Sequence, residues 1–489
     1  MTEKEKVVVI GSGFSGLAAA TVLADAGKDV LVVEKNDTLG GRARSFSTDG
    51  FTFDMGPSWY WMPEVFENYF NRFDKTVSDY YELIRLNPSY RVYFQNEYKD
   101  VPANIDELYQ LFEELEPGSS GNLKKFLKDA QYKYEVGMNE FVWKPSHSLM
   151  EFADLRILKS AFKLQLFSNI SNEIRKLFKH PFLVKILEFP VLFLGATAQN
   201  TPALYSLMNY ADLELGTWYP KGGMFKIIEG MVALAKEKGV RFETSANIIS
   251  VDTVGSKVVA VNTKTTKYEC DFCVASGDYH HIDQNVLPKS LRNYTEEYWD
   301  KRDMAPSSLL FYIGLDKKIE GIKHHSLFFD EELDVHADEI YENPKWPSKP
   351  LFYVCAPSVT DTTVAPIGQE NIFLLMPIAP DLEDNDEIRE KYFDIICDRL
   401  KDRWGTDIRD HIVYKRSYCL NDFKEDYYAY KGNAYGLANT LMQTAFLKPK
   451  LKNKHLDNFF YTGQLTTPGP GVPPSLISGQ VVASEILKN

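Results

Sequence analysis

The turn Gly11-Ser12-Gly13-Phe14-Ser15-Gly16 constrains this chain more than any other feature. It follows a β-branched run, Lys6 to Ile10, which predicts a buried parallel strand. An apolar helical pattern comes next (Leu17, Ala18, Ala20, Thr21, Val22, Leu23, Ala24), and Gly27 suits its end. A second strand, Asp29 to Val33, stops at Glu34, 18 residues after Gly16. Gly11 permits the tight turn, Gly13 lets the backbone approach a pyrophosphate, and Gly16 lets the helix pack closely on the strand. Free N–H groups at the helix start favour phosphates. Glu34 can accept hydrogen bonds from a ribose hydroxyl. Strand, glycine turn, helix, strand and acid together predict a dinucleotide-binding α/β unit. They leave NAD and FAD both open.

Length and charge narrow the rest. A chain of 489 residues has a soft prior of roughly three structural units and needs no disulfide or metal staple for its core. A net charge of −13 opposes nucleic-acid binding as a class. Five cysteines are an odd, low count that disfavours a disulfide framework and suits a reducing cytoplasm. The N-terminus carries no apolar signal segment before the first strand. Phe189 to Ala211 lacks Asp, Glu, Lys and Arg, but its Pro, Gly, Asn and Gln residues make it too polar and broken for a membrane span.

The segment after Glu34 discriminates further. Gly40-Gly41-Arg42-Ala43-Arg44 follows within six residues, and Phe51-Thr52-Phe53-Asp54-Met55-Gly56-Pro57-Ser58 comes next. Here the chain resembles the FAD-dependent amine oxidase and phytoene desaturase superfamily. A fixed guanidinium suits phosphate oxygens, and a Gly-Pro turn brings backbone close to a flat ring.

A closer resemblance, to the bacterial carotenoid desaturases of phytoene desaturase type, extends over almost the whole chain. It is carried by Pro202 to Leu207, Gly216 to Met224, Ala356 to Asp361 with Ala365 to Gly368, and Phe460 to Pro473. The last block matches the family's C-terminal glycine-proline signature most specifically, with Gln464 where many relatives have Ala or Gly. The resemblance implies FAD as cofactor. It assigns to FAD the fingerprint residues Gly11, Ser12, Gly13, Phe14, Ser15 and Gly16, then Glu34, Lys35, Gly41, Arg42 and Ala43. Met55, Gly56, Pro57 and Ser58 fall beside the flavin ring, Ile248 at the adenine, and Ser276 near the ADP moiety. Gly463, Gln464, Gly471 and Val472 complete the set. The backbone N–H groups of Gly471 and Val472 would face the ring edge where negative charge builds on reduction.

The implied fold is α/β. A discontinuous Rossmann-type FAD domain covers 1–85, 220–290 and 455–489. A mostly antiparallel-sheet substrate domain covers 86–104 and 291–454. A helical, membrane-facing subdomain covers 105–219. The implied reaction takes a hydride from a CH2–CH2 unit of an acyclic carotenoid to flavin N5, followed by proton loss. Oxygen or a quinone would reoxidise the flavin. Phytoene is the first expected substrate and a 1-hydroxycarotenoid, desaturated at its 3,4 position, the second. An amine or protoporphyrinogen oxidase, or a non-enzymatic prenyl-binding protein of the GDI type, stands further off. No proton acceptor is identified; Asp154 and Arg156 are candidates by family position, and exposed helix charges are the plainer reading.

Two features bear on the substrate. Trp59-Tyr60-Trp61 follows directly on the flavin-side turn and could wall an apolar tunnel, pack in the core, or both. Between Leu155 and Lys185 lie seven basic residues (Arg156, Lys159, Lys163, Arg175, Lys176, Lys179, Lys185) against Glu173 alone. Leu155, Leu158, Phe162 and Leu166 share one helical face there. This reads as a peripheral contact with the inner face of the cytoplasmic membrane, or as a solvated helix packed on its own domain. Cys270-x-x-Cys273 stands without a second pair and reads as structural. His280-His281 and His324-His325 lack the i,i+4 spacing of helical ligands, so no metal is expected. Walker A and G-x-S-x-G motifs are absent.

Overall fold

The computed structural model describes residues 4–95, 97–146, 168–192, 195, 197–440 and 443–488. Five parallel strands form the first sheet. Their order is Phe459–Tyr461, Phe272–Ala275, Lys6–Ile10, Asp29–Val33 and Arg241–Glu243. Val7, Val9, Val30, Val32 and Val274 bury the sheet against helices, as a parallel sheet covered on its faces requires. The fingerprint helix spans Phe14–Asp25 and the last helix Val472–Leu487. The two helices touch backbone to backbone: a Cβ on Gly479 would sit 2.1 Å from the Ser15 carbonyl oxygen. Thus the chain's end locks onto its beginning.

The second sheet has seven strands, in the order Ile412–Tyr418, Ser307–Leu315, Glu370–Ile378, Phe352–Cys355, His325–Phe328, Tyr90–Phe94 and Glu97–Val101. All neighbours pair antiparallel except His325–Phe328 with Tyr90–Phe94, which run parallel. The sheet is thus mostly antiparallel, as expected, with one parallel pair. Residues 86–104 and 291–454 meet at that parallel pair. Helix Asp386–Trp404 covers one face through Tyr392, Phe393, Ile396, Cys397 and Leu400.

The apolar run from Tyr268 to Ala275, which reads as one strand in sequence, is divided between two sheets. Lys267–Glu269 belongs to a three-stranded antiparallel ribbon with Ser250–Val254 and Lys257–Asn262. Phe272–Ala275 enters the parallel sheet. Asp271 breaks the run, because its carboxylate and N–H bond the main chain of Lys6 (2.8 Å each). Cys270 and Cys273 flank this break, both buried, with burial pushing the Cys270 thiol up to about 12. They are structural.

Residues 147–167 lie outside the described residues, and with them Asp154, Leu155, Arg156, Leu158, Lys159, Phe162, Lys163 and Leu166. The rest of the basic stretch is tied into the protein. Arg175 pairs with the buried Glu188 (3.0 Å), and Lys176 pairs with Glu173 (2.7 Å). Lys179 donates to the Arg175 carbonyl, and Lys185 to the carbonyls of Phe329 and Glu331 (3.2 Å each). Each of these four cations has a partner within the protein. Among the described residues, no helix is long and apolar enough to cross a membrane.

Candidate active site and cofactor cleft

A cavity of about 410 Å³ runs from the fingerprint turn to the second sheet. Every residue expected at the cofactor lines it except Gly16. Gly16 acts in packing: a Cβ there would lie 2.2 Å from the Gly11 carbonyl oxygen. Gly11 holds φ +98°, which a side chain would strain. Gly13 precedes the first residue of the helix and has open space around it, as a ligand-facing N-terminus needs.

Glu34 marks one end. Its carboxylate accepts from the Ser12 N–H (3.0 Å), the Ser12 hydroxyl (2.6 Å) and the Asn36 N–H (2.9 Å). The acid is therefore held in place by the turn it faces. Ile248 comes alongside from the segment before Ser250. Lys35 lies 4.4 Å from the centroid of the Tyr428 ring, and burial lowers its pKa. Ser276 bonds Ser15 across the sheet top (2.8 Å).

Arg42 is the informative cation. It is half-buried, and its buried Nε has no hydrogen-bond partner among the described residues. Its Nη2 reaches the Asn433 carbonyl only at 3.5 Å, and its guanidinium lies 5.1 Å from the Tyr427 ring centroid. Burial lowers its pKa, opposed by Asp278. Such a cation wants an anion, and the pyrophosphate of FAD supplies one beside Gly13 and Gly41. The donor set thus fits the cofactor.

At the other end the wall becomes aromatic and apolar. Met55, Gly56, Pro57, Ser58, Trp59, Trp61, Leu310, Tyr353, Leu375 and Tyr435 line it. Gly463, Gln464, Gly471 and Val472 close it from the C-terminal loop. Trp59 and Trp61 lie 5.2 Å apart, centroid to centroid. Tyr60 does not line the cavity. Strand-like alternation turns it away, where it is fully buried against Phe66 and bonds the Tyr81 hydroxyl (3.1 Å). It is a core residue.

The structure adds groups that the sequence does not single out. Strand pairing places Tyr353 and Cys355 beside His325. The Tyr353 hydroxyl meets His325 Nδ1 at 2.6 Å, and His324 Nδ1 meets the Thr360 hydroxyl at 2.8 Å. The Cys355 thiol and the two imidazoles have donor atoms within 4.8 Å of one another. The His325 ring stacks on Trp59 at 4.2 Å. Behind Trp61, the Thr217 hydroxyl accepts from its indole N–H (3.0 Å) and adjoins Asp212 (3.5 Å). Asp212 also accepts from the Tyr90 hydroxyl (2.8 Å), and burial pushes its carboxyl up to about 7. The alternation Phe352-Tyr353-Val354-Cys355, read as a strand, carries Tyr353 and Cys355 on one face. The partner strand is not readable from it.

Comparison with known proteins agrees with this geometry. The model of the flavin-containing amine oxidoreductases matches residues 14–487. A carotenoid 3,4-desaturase from Haloarcula japonica is 43% identical, over 99% of this chain and 98% of that protein. A 4,4'-diapophytoene desaturase (4,4'-diaponeurosporene-forming) from Staphylococcus aureus is 30% identical, over 99% of each. An oxidoreductase structure from Methanosarcina mazei superposes with a TM-score of 0.65, at 15% identity over 99% of this chain and 100% of that one. Cyclohexylamine oxidase from Brevibacterium oxydans superposes at 0.62, with 15% identity over 99% of each. The two structures speak for the fold alone. The chain belongs to the flavin-containing amine oxidoreductase family, as an FAD-dependent oxidoreductase related to the carotenoid desaturases.

Proposed function

We propose that this enzyme desaturates an acyclic carotenoid. A CH2–CH2 unit beside existing double bonds loses a hydride and a proton and becomes CH=CH. FAD, when bound, supplies the two-electron acceptor. The chain's own residues bind and orient. Gly11 to Ser15, Glu34, Lys35, Gly41 to Ala43, Ile248 and Ser276 would hold the nucleotide. Met55 to Ser58, Gly463, Gln464, Gly471 and Val472 would hold the ring. Trp59 and Trp61 would guide the chain of the substrate. The observation that carries this reading is the cavity itself, polar and cation-bearing at the glycine turn and aromatic at the sheet. An uncharged polyene has no use for charges beside it, and this wall offers flat apolar surface instead.

The sequence expectation ranks phytoene before a 1-hydroxycarotenoid. The identity of 43% to a carotenoid 3,4-desaturase, against 30% to a diapophytoene desaturase, favours reversing that order. Membrane-surface docking of the helical part and reoxidation by oxygen or a quinone belong to the same reading.

The test is anaerobic. FAD-loaded enzyme is mixed with liposomes carrying phytoene or a 1-hydroxylated carotene, and products are separated. Loss of two hydrogens from the hydroxylated carotene supports 3,4-desaturation. Conversion of phytoene restores the earlier order. If both carotenes stay unchanged while an amine is oxidised, the carotenoid reading is wrong.

A further inference from the structure

The desaturation leaves one question open: where the proton goes. Most titratable groups on the cavity wall sit at the nucleotide end. Lys35 and His281 flank Tyr428, Arg44 holds Asp426, and Arg42 faces Asp278. At the aromatic end the wall offers the phenols Tyr353 and Tyr435. Tyr353 has a base behind it.

We propose that Tyr353 and His325 are the proton acceptor of the reaction, with the Tyr353 oxygen collecting the proton from the cavity and His325 Nδ1 storing it. The inference rests on the desaturase reading above. Three observations carry it. The Tyr353 ring lines the cavity, and its hydroxyl lies 2.6 Å from His325 Nδ1. Ser58, next to the Gly56-Pro57 turn, also lines the cavity, close to the same phenol. His325 Nε2 is buried without a partner among the described residues, so this ring is engaged there through Nδ1.

The step balances. The C–H bond of one carbon loses its hydride, and the neighbouring carbon loses H⁺. The electron pair of that second C–H bond becomes the new π bond. H⁺ joins the Tyr353 oxygen as the phenol's own proton passes to His325 Nδ1, so the phenol stays neutral and the imidazole becomes imidazolium. The proton leaves by the same path before the next turnover. A strong base is not needed, because a carbon next to a carbocation is a strong acid. Burial holds His325 well below the ordinary histidine range, which keeps it neutral and ready to accept. The Trp59 ring, stacked at 4.2 Å and 12°, meets the transient charge with its π face. His324 stands edge-on at 4.5 Å and is itself neutral by burial, with Asp361 acting against that shift.

Tyr353→Phe tests this with little change of shape. FAD per chain and KM should match the wild type and stability should fall by the worth of one hydrogen bond, while kcat for the carotene that the wild type desaturates falls by about 100-fold. His325→Gln should show the same split, since His325 acts through Tyr353. A kcat within about threefold of wild type in both variants overturns the proposal. If both variants lose FAD, the wild type in D2O decides. A slower polyene step supports a phenol proton in flight, and equal rates in both solvents discard it. A wild type that leaves every carotene unchanged fails the desaturase reading instead, and is recognised before any variant is made.

Discussion

The two ends of the cavity are built differently. The nucleotide end is made by backbone and by two short motifs, each continuous in sequence: Gly11 to Gly16 and Gly40 to Arg44. Its tolerances are set by main-chain atoms, such as the Gly11 carbonyl 2.2 Å from where a Cβ on Gly16 would sit. The aromatic end is made by side chains that reach in from strands far apart in sequence, including Leu310, Tyr353 and Leu375. A ligand shared by many proteins selects the first kind of construction. A particular substrate selects the second.

The largest effect should come from the backbone end. Gly16→Ala forces the turn apart, so we expect FAD content per chain to fall by more than about tenfold, with lowered melting temperature. Flavin absorbance after purification checks it. Arg42→Met should weaken FAD binding by about 1.5–3 kcal/mol, the size of a charged hydrogen bond. It removes a half-buried cation whose Nε is orphaned among the described residues, so the apoprotein should melt no lower than wild type. Arg42→Lys should not restore affinity, because a point charge does not reproduce the fork. Titration of apoprotein with FAD reads both.

The aromatic end should respond without loss of cofactor. Trp59→Ala removes the ring stacked on His325 and a large piece of wall. We expect FAD to stay bound and carotene turnover to drop by about tenfold or more. Asp212 gives a pH signature behind the same wall. Its folded carboxyl, at about 7, keeps its proton where the unfolded chain has already lost it. Folded protein binds more protons between about pH 4 and pH 7, so this group's contribution to stability falls as pH rises through that window and is flat above it. Asp212→Asn should therefore gain on wild type by a few kcal/mol from about pH 4 to pH 7 in denaturant titrations. The smallest effect is expected at Tyr60→Phe. It breaks one bond to Tyr81, costs about 1 kcal/mol of stability and leaves kcat unchanged.

What is legible in the sequence follows the same division. The parallel sheet and glycine turn can be read because local sequence dictates them: β-branched runs, φ +98° at Gly11, an acid at the strand end. Tyr60 escapes such a reading because three consecutive aromatics do not announce which of them alternation turns inward. The break at Asp271 is hidden because its bonds reach Lys6, 265 residues away. His325 and Tyr353 are invisible as a pair, since their meeting depends on antiparallel register between strands 28 residues apart.

The central claim is that one cavity holds FAD and a polyene together, so that the electrons pass between them. The most direct measurement is an anaerobic single turnover of FAD-loaded enzyme with liposomal carotene, following flavin bleaching and polyene absorption in one mixing. We predict one flavin reduced for each double bond formed, with both signals moving at the same rate. Polyene lengthening without flavin bleaching, or bleaching that leaves the carotene unchanged, would contradict it.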